Sequence, residues 1–425
     1  MLNAKAAIAA LWCCVVLAVP AMAATPPPRL DLRQAFALTL ERHPDLRRVP
    51  LQQAALTAEA DLAAQKPAWV AGASVENALG SGDYRGVDGA ELTLSLGSVL
   101  EPQARRDARR GVAQSRLAAL DVEVEARRLD LLAEVARRYL DVLALQQEAV
   151  ALEATVTQRR TAASAARRRV VAGASPASVQ LGAEAAVART ELELARSKAA
   201  ITGAGRRLAL MWGGDPVVHV EGDLLTLPTT PDFAGLLSLL ERTPELRRFA
   251  SEERLREARL QLAQAQGQPE MEWQVGLRRL QGSDDWALTG GVSVPLGNRR
   301  RSEPGVRAAR AELQQLSLER EAGAIDLKAT LAEAHGRLQV DALTVQQTTD
   351  AVLPALERAE RAAGQAYRAG ALSYLEWAQL QAELLSVRRE RITAARDFHR
   401  ALIEIQRLTA EPFVLAQRAP SETTP

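Results

Sequence analysis

The chain has 425 residues, of which 47% are hydrophobic and 25% are charged, and its formal net charge is +1. This composition is typical of a folded protein and excludes wholesale disorder. Because there is no basic surplus, we expect no nucleic acid partner. Aromatic residues make up only 4% of the chain, which favours long helices over a thick globular core.

The first residues have the pattern of a secretory signal peptide. Lys5 precedes an apolar run over 6–19, and Ala21-Met22-Ala23 supplies the small residues of a cleavage site. A membrane anchor is the alternative, although the apolar run is too short to span a bilayer. Cys13 and Cys14 are the only cysteines. Because both lie in this segment, we expect an exported mature protein without disulfides or thiolate metal sites.

Two similar copies fill the remaining chain. The segment 41–48 recurs as 241–248 with six of eight residues identical, and 171–175 is echoed by 368–372. Matches in the same order and at nearly one offset indicate an internal duplication. We therefore predict five segments: a signal peptide over 1–23, a first repeat over 24–214, a connector over 215–231, a second repeat over 232–412 and a tail over 413–425.

Each repeat is predicted to contain short helices, a strand pair and a long helical hairpin, in that order. In the first repeat, periodicity predicts helices over 32–41 and 45–66, strands over about 67–99, a long helix over 103–170 and a return helix over 176–212. In the second repeat it predicts strands over about 269–296, a long helix over 304–368 with a kink at Pro354, and a return helix over 373–409.

The strand pairs place apolar side chains on one face and polar side chains or glycine on the other. Leu92, Leu94 and Leu96 alternate with polar neighbours in one strand, and Trp273 and Val275 do so in another. Strands of about ten residues match a tilted membrane crossing. After residue 24 no uninterrupted apolar stretch approaches about 18 residues, so we expect no transmembrane helix.

A sheet that faces lipid must close, because open edges leave backbone groups unpaired in hydrocarbon. Four strands are too few to close, so we predict that several chains share one barrel, three copies giving twelve strands. The alternative is two soluble hairpins on a helical protein. In the barrel, Glu76, Glu91, Glu272 and Arg278 are candidates to face the lumen.

Several features together resemble the outer-membrane factor family, the TolC-like channels of tripartite efflux and secretion systems. They are the openings His43-Pro44-Asp45-Leu46 and Thr243-Pro244-Glu245-Leu246, the strand pair followed by a long helix, and the run 369–376. Two shorter stretches, 100–106 and 292–299, resemble the outer-membrane component of cobalt–zinc–cadmium resistance pumps.

The resemblance implies a mainly α-helical homotrimer with a membrane β part. A shared twelve-stranded β-barrel in the outer membrane of a Gram-negative bacterium would continue as a trimeric coiled-coil tunnel across the periplasm. There it would meet a periplasmic adaptor (membrane fusion) protein and an inner-membrane, proton-driven RND-type pump. The resemblance further implies a passive exit duct for divalent heavy-metal cations, with no enzymatic activity and no cofactor.

The resemblance also assigns candidate gate residues at the turns of the helical hairpins, near Gly173 and Gly370. Tyr367 matches a tip tyrosine that holds helices together, and Glu376 matches an acidic residue that can form a carboxylate ring. Three carboxylates would favour the passage of cations. The first repeat has Val179 at the matching position. A packed tyrosine and a solvated surface glutamate are the alternatives.

No catalytic or metal-binding constellation is visible. The four histidines, His43, His219, His335 and His399, share no ligand spacing. Arginines that follow the strands, within 105–110 and 299–301, are candidates to contact outer-membrane lipid headgroups. Two other functions remain open: a drug-efflux or type I secretion channel, and a soluble periplasmic coiled-coil scaffold.

Overall fold

A computed structural model describes residues 30–216 and 219–413. The predicted signal peptide and nearly all of the predicted tail lie outside these residues. The described part is mainly α-helical and contains one antiparallel sheet of four strands, which confirms the predicted combination of helices and strand pairs. Among the described helices, none is both long enough and apolar enough to cross a membrane.

The elements follow the same order in both repeats. The first repeat contains α1 (Leu32–Arg42), α2 (Pro44–Arg47), α3 (Val49–Ala64), β1 (Val70–Glu76), β2 (Glu91–Leu100), α4 (Gln103–Val171) and α5 (Ala177–Ala209). The second contains α6 (Phe233–Leu240), α7 (Pro244–Ala265), β3 (Met271–Leu280), β4 (Asp285–Ser293), α8 (Asn298–Gln347), α9 (Leu353–Ala369) and α10 (Tyr374–Thr409). A π-helical turn over Thr348–Val352 joins α8 to α9.

Local residue chemistry explains where the short helices begin. The side chains of Asp31 and Asp232 accept backbone hydrogen bonds at the starts of α1 and α6, as capping residues do. Pro44 and Pro244 open α2 and α7, at positions whose amide has no partner within the helix in any case. The repeated proline segments therefore start helices at equivalent positions, and α7 corresponds to α2 and α3 together.

The predicted helices differ from the structure most at two places near prolines, and the predicted return helix over 176–212 ends earlier, at Ala209. The helix predicted over 45–66 is divided at Arg48, because Pro50 lacks the amide proton needed to continue the hydrogen-bond ladder. The long helix of the second repeat begins at Asn298, directly after Gly297 with its φ of 80°, and not at 304. Pro304 lies in the second turn of α8, where it removes one hydrogen bond without ending the helix.

The four strands form one sheet in the order β1-β2-β3-β4, so the repeats meet between β2 and β3. The register confirms the predicted alternation, since Leu94 lies opposite Leu277 and Leu277 lies opposite Leu288. β1 has 7 residues and is shorter than predicted, because the backbone turns at Asn77, which has a φ of 57°. Within the described residues, β1 and β4 are unpaired edges.

The long helices share one burial pattern, and a single extra residue interrupts it. Buried Leu120, Val135 and Val142 of α4 recur 196 positions later as buried Leu316, Leu331 and Leu338 of α8. Beyond the π-helical turn the offset is 197, as Val156 and Ala166 recur as Leu353 and Ala363. A π-helical turn is how an α-helix accommodates one inserted residue. The turn ends two residues before Pro354, where we predicted a kink.

Equivalent side chains hold the start of each repeat against its own long helix. The Tyr139 hydroxyl lies 2.9 Å from the carbonyl oxygen of Leu30, just before α1. His335 is its counterpart in α8, and its Nε2 lies 3.0 Å from the carbonyl oxygen of Pro231, just before α6. The two repeats therefore make the same connection with different side chains.

Candidate functional site

The apolar face of the sheet is exposed in the single chain. Leu94, Leu277 and Leu288 are neighbours across three strands and expose 55%, 45% and 85% of their surfaces. Trp286 and Val292 extend this face along β4 and are also exposed. A contiguous apolar surface of this kind marks a site that a membrane or another protein covers.

Three of the four strand residues predicted to face a lumen lie together on the polar face. The Arg278 guanidinium lies 2.7 Å from a carboxylate oxygen of Glu91 and 3.0 Å from one of Glu76. Glu76 and Glu91 are directly opposite in β1 and β2, where like charges repel. Arg278 therefore stabilises the pair, and the three side chains, here called the Arg278 cluster, have one net negative charge.

Glu272, the fourth predicted residue, lies at the other end of the sheet. It is exposed and borders a concavity of about 490 Å³ on the polar face. A Cβ at Gly97 would come within 2.7 Å of the Trp273 carbonyl oxygen, and one at Gly276 within 2.9 Å of the Leu94 carbonyl oxygen. Because no side chain fits at these two positions, the middle of the polar face is formed by glycine and by polar side chains such as Gln274 and Thr289.

The helix tips of the two repeats contact each other through Arg169, a residue that no sequence motif indicated. Gly173 and Gly370 have φ values of 71° and 86°, a region that favours glycine. Arg169 donates a hydrogen bond of 2.5 Å to the carbonyl oxygen of Tyr367, and its guanidinium lies 5.0 Å from the Tyr367 ring centre. This hydrogen bond and the cation–π contact hold the two predicted tips together.

Tyr367 is packed in an aromatic cluster between α9 and α10. Its ring centre lies 5.9 Å from that of Tyr374 and 5.3 Å from that of Trp377, and only 2% of the residue is exposed. The Trp377 indole donates to Glu360, which strengthens the contact between the two helices. Burial raises the pKa of the Tyr374 hydroxyl. Within the described residues the Tyr367 hydroxyl has no hydrogen-bond partner, so in the single chain Tyr367 contributes its ring and its carbonyl group.

Glu376 is exposed at the tip and completes a capping box at the start of α10. One of its carboxylate oxygens accepts hydrogen bonds from the Ser373 hydroxyl at 2.6 Å and from the Ser373 amide at 3.0 Å. These two bonds lower the pKa of Glu376. The first repeat has Pro176 and Val179 at the corresponding positions and no side-chain cap. This difference gives Glu376 a local structural role that its counterpart lacks.

The histidines are dispersed, and each contacts a different part of the chain. His43 caps α2, and Nδ1 of His219 lies 2.8 Å from the Gln146 amide nitrogen. Nε2 of buried His399 lies 3.1 Å from the Leu224 carbonyl oxygen, and burial lowers its pKa to about 4. Across 30–216 and 219–413, no group of three or more His, Cys, Asp or Glu side chains is arranged to hold a metal ion.

Two of the arginines considered for lipid headgroups form ion pairs where the sheet joins the helices. Arg109 donates to both carboxylate oxygens of Glu101, at 2.7 and 3.2 Å, and also to the carbonyl oxygen of Gln65. Arg105 lies 2.9 Å from Glu270. The Glu101 side chain is only 1% exposed. These contacts attach the ends of the strands to α3 and α4.

Comparisons with solved structures show the fold. The outer membrane protein VceC from Vibrio cholerae is 20% identical, with a TM-score of 0.71 over 89% of this chain and 96% of that chain. CusC is 16% identical, with a TM-score of 0.74 over 89% and 91%. The open-state MtrE outer membrane channel from Neisseria gonorrhoeae is 16% identical, with a TM-score of 0.69 over 91% of each chain.

The sequence itself shows the family. No curated relative matches the chain significantly. The profile of the outer membrane efflux proteins, however, matches residues 36–214 and 236–411. The chain therefore belongs to the outer membrane efflux protein family, which comprises ducts rather than enzymes and is located in the outer membrane with an extension into the periplasm.

Proposed function

We propose that this chain forms the outer membrane channel of a tripartite efflux system, as a homotrimer that acts as a passive exit duct for divalent heavy-metal cations. The sheet is the observation that supports a channel, because among the described residues it combines an exposed apolar face, a polar face and two edges without a strand partner. Backbone groups at a lipid-exposed edge must be paired. Pairing β4 of each copy with β1 of the next closes a twelve-stranded barrel around a polar lumen.

The long helices supply the periplasmic part of this duct. α4 has 69 residues, and at about 1.5 Å per residue it extends on the order of 100 Å from the sheet. The two hairpin turns lie at its far end, where Arg169 joins them. We place the contact with a periplasmic adaptor and the inner-membrane RND-type pump at these tips, because the run 369–376 carries the family resemblance there.

Divalent cobalt, zinc and cadmium are the proposed cargo. The stretches 100–106 and 292–299, which resemble the heavy-metal branch, lie where strands meet long helices. The Arg278 cluster adds net negative charge on the polar face, and such charge attracts cations. A duct must release its cargo as readily as it admits it, so selection of the metal belongs to the pump and the adaptor.

The barrel is tested by placing one arginine on each face of the same strand. Leu277→Arg puts a charge on the apolar face, where it should cost about 2–4 kcal/mol in lipid and reduce recovery of a heat-modifiable oligomer from the outer membrane. Gln274→Arg is the matched control on the polar face and should leave recovery unchanged. Equal recovery of both variants would contradict the orientation of the sheet.

The cargo is tested by growth of a deletion strain on graded zinc, cobalt, cadmium, copper and silver, with dyes and antibiotics alongside. Sensitivity confined to zinc, cobalt and cadmium is the expected result. Sensitivity to dyes and antibiotics with normal metal tolerance would instead indicate a drug-efflux channel, and defective export of a protein would indicate type I secretion. Recovery of the chain wholly in the periplasmic extract would indicate a soluble scaffold.

A further inference from the structure

The internal duplication provides a template for a contact that the single chain lacks. Within the chain, α7 of the second repeat packs against two long helices, α4 and α8. Its counterpart α3 packs against α4, and among the described residues no second long helix covers it to a similar extent. One side of α3 therefore lacks the neighbour that α7 has.

Burial identifies that side of α3. Ser251, Leu255 and Ala258 form a buried stripe on α7. Their counterparts, found 200 positions earlier, are Leu51, Ala55 and Ala58, and all three are exposed. Leu51 alone exposes 75% of its surface. The stripe is buried on α7, whereas on α3 it is apolar and exposed, which indicates a missing partner helix.

The complementary surface lies on α8. Glu125 of α4 is paired with α7. Val122, one helical turn before Glu125, is 7% exposed, whereas its counterpart Leu318 on α8 is 67% exposed. Ile325, further along α8, is 60% exposed. The chain thus has two equivalent surfaces that can bind a short helix. The surface on α4 is covered by α7, and the surface on α8 is exposed.

Charges match in the same way. The covered contact includes an ion pair in which Arg247 lies 2.6 Å from Glu125. The counterpart of Arg247 is Arg47, 200 positions earlier, and the counterpart of Glu125 is Glu321, 196 positions later. Both counterparts are exposed, and within the described residues neither takes part in an ion pair. They have opposite charges. Arg47 is the last residue of α2, directly before α3, and Glu321 lies on α8 between Leu318 and Ile325.

We propose that α3 of one copy docks against α8 of a second copy as α7 docks against α4 within the chain, with Arg47 paired to Glu321 of the next copy. The contact is head-to-tail, because each copy contributes α3 to one neighbour and α8 to the other. Such contacts form a closed ring when the rotation between successive copies brings the last copy back to the first. The inference rests on the proposed function for the existence of that ring. It adds which faces meet and which ion pair fixes their register.

Charge reversal in the full chain, purified from membranes in detergent, tests the pairing. Arg47→Glu and Glu321→Arg should each lower the temperature at which the oligomer dissociates, because each places like charges across every interface. The double variant should restore it. Arg47→Glu combined with Glu312→Arg, which alters another exposed glutamate of α8, is the matched control and should not. Equal rescue by both combinations would overturn the proposed pair.

Site-directed crosslinking separates this proposal from the trimer itself. Both native cysteines lie in the predicted signal peptide, so two tagged chains, one with Arg47→Cys and the other with Glu321→Cys, can be co-expressed and treated with a short bismaleimide. A product containing both tags is expected. Its absence from a preparation whose mass shows trimers would overturn the interface alone, whereas a mass showing only monomers would overturn the proposed trimer as well.

Discussion

At the scale of single residues, Glu376 combines a helix cap with a proposed position in a carboxylate ring, and two substitutions separate these roles. Glu376→Gln can still complete the capping box, whereas Glu376→Ala cannot. We expect both variants to lose cation preference in a planar bilayer, measured as the reversal potential. Only the alanine variant should speed hydrogen exchange at the amides of 371–377. Unchanged selectivity in Glu376→Gln would show that the carboxylate serves the cap alone.

His399 makes the stability of the helical core depend on pH. Burial lowers its pKa from 6.5 to about 4. Between these pH values the His399 imidazole is therefore protonated in the unfolded chain but neutral in the folded chain. The free energy of unfolding is therefore unaffected by this group above pH 6.5, and it decreases by about 3 kcal/mol as the pH falls from 6.5 towards 4. His399→Gln keeps a donor for Leu224 but cannot titrate, and it should reduce this loss.

Denaturant unfolding at several pH values between 4 and 7 measures the difference. Phe398→Leu is a suitable control, because this neighbouring core substitution should lower stability equally at every pH. If wild type and His399→Gln lose the same free energy of unfolding over this range, His399 is not the group responsible.

At the scale of elements, the π-helical turn over 348–352 makes a one-residue deletion tolerable at one place in a long helix. Deletion of exposed Thr349 should convert the turn to regular α-helix and keep both flanking buried stripes in register with those of α4. Deletion of exposed Lys328 rotates part of α8 by about 100° relative to the rest and should displace Leu331 and Leu338 from the core. Thermal unfolding should show a much larger loss for the second deletion, and equal losses would contradict this account.

The sequence predicted elements with a long regular pattern and missed those defined by single contacts. The strands were visible because Leu92, Leu94 and Leu96 alternate with polar residues over the full strand length. The π-helical turn was not visible, because one inserted residue shows only when buried positions of both repeats are compared. The capping role of Glu376 was visible in the sequence, because a serine three residues before a glutamate is the pattern of a capping box. We considered only a carboxylate ring or a solvated surface glutamate at this position. Arg169 had none, since its partner is distant in sequence.

At the scale of the whole molecule, the Arg278 cluster should set the charge of the lumen in the proposed barrel, at the end where the β1–β2 and β3–β4 connections lie. Arg278→Ala leaves Glu76 and Glu91 without their cation. Each copy of the proposed trimer then loses one positive charge at the lumen, so the channel should become more cation-selective, measured as a shift in reversal potential. Arg279→Ala is the matched control, because Arg279 follows it in β3 but points to the other face and pairs with Asp284. An equal shift in both variants would argue against a luminal cluster.

The edges β1 and β4, which have no partner strand in the part of the chain that the structure describes, have a consequence for biogenesis. A single copy entering the bilayer would place two rows of free amide and carbonyl groups in hydrocarbon, which costs several kcal/mol for each unsatisfied group. Under the proposed assembly, copies must therefore meet before or during insertion. The rate of insertion should then rise steeply with the amount of chain delivered. A slowly synthesised chain would wait at the membrane with the face around Leu288 exposed, and it would depend on periplasmic chaperones to cover that face.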